Sequence, residues 1–313
     1  MSTKPIELGH GRLLIDLRFR DKEGIIGSYL LPEPDGRWAL VETGPSSCFE
    51  QLASGLEDAG IEPAQVADVF LTHIHLDHAG AAGTLLRRYP GARVHVHQSG
   101  VAHLIDPSRL VSSARRAWGD ASDQIWGRIE SAQEERVLPL EGGERFPVEG
   151  GSLQVVATPG HARHHVSYFD SSTRAILTGD SAGVRLPGGW RPRPAIPPPD
   201  LDIELLLGSV ERMQALDAAA VWFTHFGPSP DGPSDLTRYH RAVEEWARAG
   251  LEAAQRDPSI PSVAAALERA ETSAAERAGA RASRPDRTAL ISGYELAAQG
   301  LLRYYRTKGR IPG

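Results

Sequence analysis

Between Thr72 and Gly80 the chain reads Thr-His-Ile-His-Leu-Asp-His-Ala-Gly, so His73, His75, Asp77 and His78 fall within six positions. Imidazole nitrogens and carboxylate oxygens are ligands for zinc, iron or manganese, and four of them at this density have the types and spacing of a metal centre. The apolar run from Val66 to Thr72 reads as a buried strand, so the four leave its C-terminal end on a loop and are free to converge. A β-rich run followed by a ligand type recurs three times downstream. Val155-Val156-Ala157-Thr158-Pro159-Gly160 delivers His161, Ile176-Leu177-Thr178-Gly179 delivers Asp180, and Val221-Trp222-Phe223-Thr224 delivers His225. Gly160 and Gly179 permit close backbone approach or unusual dihedrals just before two of these. Each alone is an ordinary strand-end polar residue; their shared placement is the signal.

Such loops need strands to carry them and helices to cover the strands. Gly24 to Leu31 and Trp38 to Val41 read as strands joined by a turn at Pro32-Glu33-Pro34-Asp35-Gly36, and Phe49 to Ala59 as a helix with Leu52 and Leu56 on one face, stopped at Gly60. Gly83 to Tyr89 reads as a second helix and Val94 to His97 as a half-exposed strand, before a long polar helical stretch. Leu153 to Ala157, Val166 to Phe169, Ala175 to Thr178 and Ala219 to Phe223 complete the strands, and this interleaving argues for an α/β layered domain. Arg185 to Pro199, carrying prolines 187, 192, 194, 197, 198 and 199, reads as a long ordered loop or lid. Beyond Pro233 the chain is helical over Asp235 to Asp257, Ser262 to Ala280 and Pro285 to Tyr305, with Ser234 and Asp286 at cap or first-turn positions. The expected organisation is a catalytic domain over residues 1–233 and a C-terminal helical extension, 234–313, packed on it.

Composition narrows the chemistry. A chain of 313 residues, 41% hydrophobic and 24% charged, is not disordered, and a net charge of −6 supplies no bulk attraction to nucleic acid or anionic lipid. The single Cys48 rules out an internal disulfide, a four-cysteine zinc site and an iron–sulfur cluster, so any metal is held by His, Asp or Glu. Met1 to Lys22 lacks the apolar core of a signal peptide, and no run approaches the ~18–20 apolar residues that span a bilayer. The expectation is a cytoplasmic protein with no nucleic-acid or membrane partner.

On these residues the sequence resembles the metallo-β-lactamase-fold hydrolases. The resemblance covers about Gly24 to Pro228, in motif order: a Thr43-Gly44 turn, His73-x-His75-x-Asp77-His78, His161 within Thr158-Pro159-Gly160-His161, Asp180 within Thr178-Gly179-Asp180, and a final His225. It implies an α/β fold, a four-layer αβ/βα sandwich with helices outside and metals at one edge. It also implies that His73, His75 and His161 bind one divalent metal, that Asp77, His78 and His225 bind a second, and that Asp180 bridges. Zinc leads as the ion, with iron or manganese as alternatives. Two such ions hold a hydroxide that attacks a carbonyl or phosphorus, while Asp77 orients or deprotonates the attacking water.

Departures from the family pattern sharpen the class. Asp180 stands where antibiotic-hydrolysing members with a cysteine ligand would have Cys, and His78 adds a ligand beside Asp77; both disfavour that class. Glu42 replaces the usual Asp before Thr43-Gly44. Only 44 residues separate Asp180 from His225, too few for the domain inserted in the nucleic-acid-cleaving branch. His165, the second histidine after His161, contacts substrate, supports a ligand or makes a plain structural hydrogen bond. Arg185, Trp190, Arg191 and Arg193 follow Asp180 in the Pro-rich loop, either as a solvated segment or as groups selecting a substrate carboxylate or phosphate. His95 and His97, two apart on one strand, read as structural. Leu290, Leu296, Leu301, Leu302 and Tyr305 present a face that caps the site, as in relatives resembling glyoxalase II, or that forms a homodimer interface. The expected function is binuclear metal-dependent hydrolysis of a small-molecule lactone, thioester, carboxylic ester or phosphodiester. The alternatives are a mononuclear iron enzyme like the persulfide dioxygenases and a non-catalytic sensor or scaffold of the same fold.

Overall fold

The computed structural model describes residues 4–282 and 291–312. The chain divides into two units, Met1–Ala157 with Val166–Leu177, and Thr158–His165 with Thr178–Gly313. The first unit opens on a hairpin, β1 (Ile6–Gly9) and β2 (Arg12–Asp16), continued antiparallel by β3 (Gly27–Pro32) and β4 (Trp38–Val41). The first strand of this hairpin was not expected from sequence, because its Ile6-Glu7-Leu8 alternation spans only three residues and the strand is exposed along most of its length. Three parallel strands follow, β5 (Val66–Phe70), β6 (Arg93–His97) and β7 (Val137–Leu140). Every residue of β5 is buried, which is why it reads as a continuous apolar run rather than an alternating one. Its single charge, Asp68, meets His95 at 2.6 Å and Arg93 at 3.0 Å. His95 is thereby buried and stacked on Phe70, so β6 is less exposed than its alternation predicts.

Helices α1 (Phe49–Asp58), α2 (Leu76–Ala79), α3 (Ala82–Arg88), α4 (Gln98–Ile105), α5 (Ser108–Trp118) and α6 (Ser122–Trp126) fill the connections among β4 to β7. Leu52 and Leu56 of α1 are buried as its periodicity requires. Strands β8 (Arg145–Val148), β9 (Gly151–Ala157), β10 (Val166–Asp170) and β11 (Ala175–Leu177) form an antiparallel meander. Aromatic contacts join it to β5, with Phe70 lying 4.8 Å from Phe146 and 5.5 Å from Tyr168 between ring centroids. A buried ion pair joins it to β2: Arg12 Nε donates to Asp170 at 2.9 Å, and Arg12 Nη2 reaches Ser172 Oγ and the Glu149 carbonyl.

The second unit contains α7 (Ile203–Gln214), the antiparallel pair β12 (Ala220–Phe223) and β13 (Gly227–Pro228), and the helices α8 (Ser234–Arg256), α9 (Ile260–Arg277) and α10 (Tyr294–Thr307). The Pro-rich loop is bound to the helices after it through Arg185, Arg191 and Arg193. Leu301, Leu302 and Tyr305 are buried, and Leu301 Cδ1 and the Tyr305 hydroxyl face Gly250 of α8. Leu290 and the proposed cap Asp286 lie outside the described residues. Arg12→Ala strands the Asp170 carboxylate in the core and is expected to cost about 3–5 kcal/mol in chemical denaturation. Arg12→Met with Asp170→Leu recovers most of that loss, and a single variant within 1 kcal/mol of wild type contradicts the assignment.

Candidate metal centre

In the first unit the ligand turn is tied at both ends of its approach. Tyr168 Oη donates to the Leu71 carbonyl at 2.6 Å and the Val166 amide to the Thr72 carbonyl at 2.8 Å, so β10 fixes the exit of β5. His75 begins α2, and the Thr43 and Gly44 amides both donate to the His78 carbonyl, docking the Thr-Gly turn against the motif. The rings of His75 and His78 lie 4.5 and 4.1 Å from that of His73, and Asp77 Oδ2 lies 3.8 Å from His78 Nε2.

Glu42 decides which nitrogens of this cluster face outward to a ligand. Its Oε1 lies 2.8 Å from His78 Nδ1 and accepts from Thr72 Oγ1 at 2.5 Å, while Oε2 accepts from the Thr72 amide. A carboxylate facing these donors accepts the proton of His78 Nδ1–H. The Thr72 hydroxyl has spent its only hydrogen on Glu42, so at 3.0 Å it accepts from His73 Nδ1–H. Both imidazoles are therefore held in the Nδ1–H tautomer, which leaves each Nε2 lone pair for a cation.

In the second unit Asp180 stands between two imidazoles, with Oδ2 3.5 Å from His161 Nε2 and Oδ1 3.4 Å from His225 Nε2. These separations are long for hydrogen bonds. They match two ligand atoms sharing one ion, since two ~2.1 Å bonds at a tetrahedral angle put their ends ~3.4 Å apart. His161 Nδ1 donates to the Ala195 carbonyl at 2.7 Å, which leaves its Nε2 unprotonated and turned toward Asp180. Gly160, at φ +134°, lets His161 leave its strand: a Cβ there would lie 2.2 Å from the Leu206 amide nitrogen in α7.

Of the expected ligands, His73, His75, Asp77 and His78 lie in the first unit and His161, Asp180 and His225 in the second. The donor set is entirely His and Asp, and the tautomers and spacings fit divalent metal. Cys48 is remote from this chemistry in character, because burial pushes its thiol up to about 12 and suppresses the thiolate.

A scan of family models matches the metallo-beta-lactamase superfamily over residues 23–225. The chain belongs to the metallo-β-lactamase superfamily. Among its relatives, the metallo-beta-lactamase fold-containing protein ST1585 of Sulfurisphaera tokodaii is 30% identical over 213 residues, 64% of this chain and 78% of that protein. The crystal structure of that protein superposes with a TM-score of 0.59 over 70% of this chain and 80% of its own, at 26% identity. A hydroxyacylglutathione hydrolase from Synechococcus is 28% identical over 244 residues, 75% of this chain and 78% of the enzyme. A metallo-beta-lactamase family protein of Thermus thermophilus shares the fold over 97% of this chain and 92% of its own, with a TM-score of 0.66 and 23% identity. The superfamily's mixed sheets with flanking helices are therefore the fold class of this chain, with helices at its C-terminal end.

Other residues singled out in the sequence have different surroundings. His165 is buried, and its Nε2 accepts from the Asp180 amide at 3.1 Å while Nδ1 lies 2.9 Å from Ser181 Oγ. It shapes the Asp180 turn through hydrogen bonds. The Pro-rich loop is not a solvated segment: Arg185, Arg191 and Arg193 are all buried. Arg185 pairs with Asp235 and Asp231, Arg191 with Glu245 and Glu271, and Arg193 donates to the Ser292 carbonyl and lies 4.5 Å from the Tyr294 ring. Trp190 Nε1 donates to Glu271 at 2.8 Å. With their charge met by the C-terminal helices, these groups anchor the loop instead of waiting for a substrate anion. The loop in turn reaches two ligands, through the Ala195 carbonyl on His161 and the Arg185 amide on the His225 carbonyl. Sequence carries no signal for such backbone contacts; Thr72, directly before His73, was the legible hint of the relay to Glu42.

Two variants check this account. Glu42→Gln is expected to weaken metal binding about 10–100-fold in a competitive chelator titration while circular dichroism stays unchanged; unaltered affinity contradicts the tautomer assignment. Glu271→Ala leaves Arg191 with Glu245 alone and is expected to cost about 3–5 kcal/mol of stability in urea. A loss below 1 kcal/mol makes the loop anchor incidental.

Proposed function

We propose that the protein is a binuclear metal-dependent hydrolase of small thioesters and related carboxylic esters, lactones among them. The observation that carries this reading is Asp180, whose two oxygens each face a different histidine at 3.4–3.5 Å, the placement of a carboxylate shared between two cations. In this reading His73, His75 and His161 hold one ion, Asp77, His78 and His225 hold the other, and Asp180 serves both. When bound, two divalent ions supply Lewis acidity and a hydroxide nucleophile at neutral pH. The chain's own part is to fix ligand geometry through Glu42 and Ala195, and to hold Asp180 through His165. Asp77, half-exposed on the turn, is placed to take a proton from the attacking water.

The likeness to a hydroxyacylglutathione hydrolase over three quarters of the chain favours a thioester within this class. The all-His/Asp donor set favours it over hydrolases that need a cysteine ligand, and zinc is the leading ion. Metal analysis of the purified protein is expected to give about two ions per chain. Hydrolysis of a panel of thioesters, lactones, aryl esters and a phosphodiester is expected to be strongest on thioesters and abolished by chelator or by Asp180→Ala. One iron per chain with oxygen consumption on a persulfide would falsify this reading in favour of a dioxygenase, and full metal occupancy with no turnover leaves only a sensor or scaffold.

A further inference from the structure

Within the first unit a cleft of about 490 Å³ is lined by Leu76 of the ligand turn and by residues of α5, α6 and the segment after them. Leu76 sits between the expected ligands His75 and Asp77. These three are the partly exposed residues of the turn, whereas His73 and His78 are fully buried. The cleft wall at Leu76 is thus one residue along the chain from each of two expected ligands. A volume of this size is in the range that holds a small organic ligand.

The lining has two chemistries. Val111, Ala114, Trp126 and Ile129 join Leu76 as an apolar wall. Trp126 is 3% exposed and is held by a stacked Phe19 ring 5.6 Å away, with Trp118 edge-on at 5.1 Å. Its Nε1–H meets no acceptor among the described residues, an uncommon state for a buried donor and one that an occupant's oxygen would relieve. The cleft also holds two guanidiniums. Arg115 is already paired with Asp123 at 3.1 Å. Arg128 is exposed and, among the described residues, meets no carboxylate, so its charge is available at the rim. The backbone between these groups is rigid: Gly127, at φ +76°, packs so closely that a Cβ would lie 2.5 Å from the Ser47 amide nitrogen, and Ser47 Oγ donates to the Ile125 carbonyl.

We infer that this cleft is the specificity subsite of the hydrolase, taking an apolar arm of the substrate that ends in an anionic group, with Arg128 as the anion's partner and Trp126 Nε1 as a donor to an oxygen along that arm. The inference rests on the hydrolase reading for its substrate class. The anion is a carboxylate or a phosphoryl group, two sources of one chemistry that the test separates.

The experiment compares a neutral thioester with matched thioesters that carry a carboxylate or a phosphonate at the far end of either arm. Wild type is expected to show a KM about tenfold lower for at least one anionic series than for the neutral parent. Arg128→Ala is expected to erase that preference by raising KM for the anionic series about tenfold, and Arg128→Lys to restore much of it. Trp126→Phe, which keeps the ring and removes the donor, is expected to raise KM several-fold across the series. Calorimetric binding of the non-hydrolysable thioether analogues gives a readout independent of turnover, in which Arg128→Ala weakens the anionic analogue about tenfold. Thioester hydrolysis without any anion preference, or with a preference that survives Arg128→Ala, overturns the subsite and leaves the hydrolase reading intact. Anionic thioether binding that depends on Arg128, in a protein that hydrolyses nothing in the panel, sustains the cleft and removes the hydrolase reading.

Discussion

One buried carboxylate governs the first half of the metal centre. Glu42 adopts φ +71°, a left-handed conformation that costs a non-glycine residue about 1–3 kcal/mol. That conformation is sustained by its amide's bond to the Phe70 carbonyl and by Ser28 Oγ donating to its own carbonyl. The return is the placement of a fully buried acceptor against His78 and Thr72. Aspartate, one methylene shorter, is the family's usual residue here, and the glutamate reaches both partners from a backbone bent to receive them. That acceptor fixes the Nδ1–H tautomer of His78 and, through Thr72, of His73, and so gives their ligand nitrogens a defined direction.

The second half depends on a longer chain of contacts, all within one unit. Helices α8 and α9 supply Asp235, Glu245 and Glu271, which bind the guanidiniums of the Pro-rich loop. The loop supplies the Ala195 carbonyl to His161 and the Arg185 amide to the His225 carbonyl. A Cβ on Gly300 of α10 would lie 2.0 Å from the Ile196 carbonyl oxygen, so the last helix presses directly on the same segment. Buried ion pairs of this kind add little net stability over apolar packing, because desolvation offsets the Coulomb attraction. Their value here is registry: a segment with six prolines has few backbone donors for sheet or helix, and side-chain pairs hold it in place.

The fold class and the expected ligands were legible because both depend on local pattern. Buried strands ending in His or Asp leave a trace in a single sequence, and seven ligands in a fixed order identify a family. The long connection between β6 and β7 was read only as polar helix, since its amphipathic pieces are short and its cleft forms from residues 76 and 111–129 brought together by tertiary packing. The arginines after Asp180 were read as solvated or substrate-facing for a similar reason. Their partners in the C-terminal segment lie 46–99 positions away, and nothing local distinguishes a paired guanidinium from a free one. β1 was missed because its Ile6-Glu7-Leu8 alternation is too short to stand out as a strand.

The same contrast bears on where specificity resides. The expected metal ligands are oriented by buried acceptors, Glu42 for His78 and the Ala195 carbonyl for His161. The cleft beside Leu76 is lined instead by residues of α5, which is mostly exposed, and of α6. Side chains carried on loops and short helices beside a rigid scaffold allow ligand selection to change while the scaffold stays constant. Arg128 and Trp126 lie on that wall. Leu76 belongs to both, and through it the shape of the cleft is linked to the geometry of the ligands on either side.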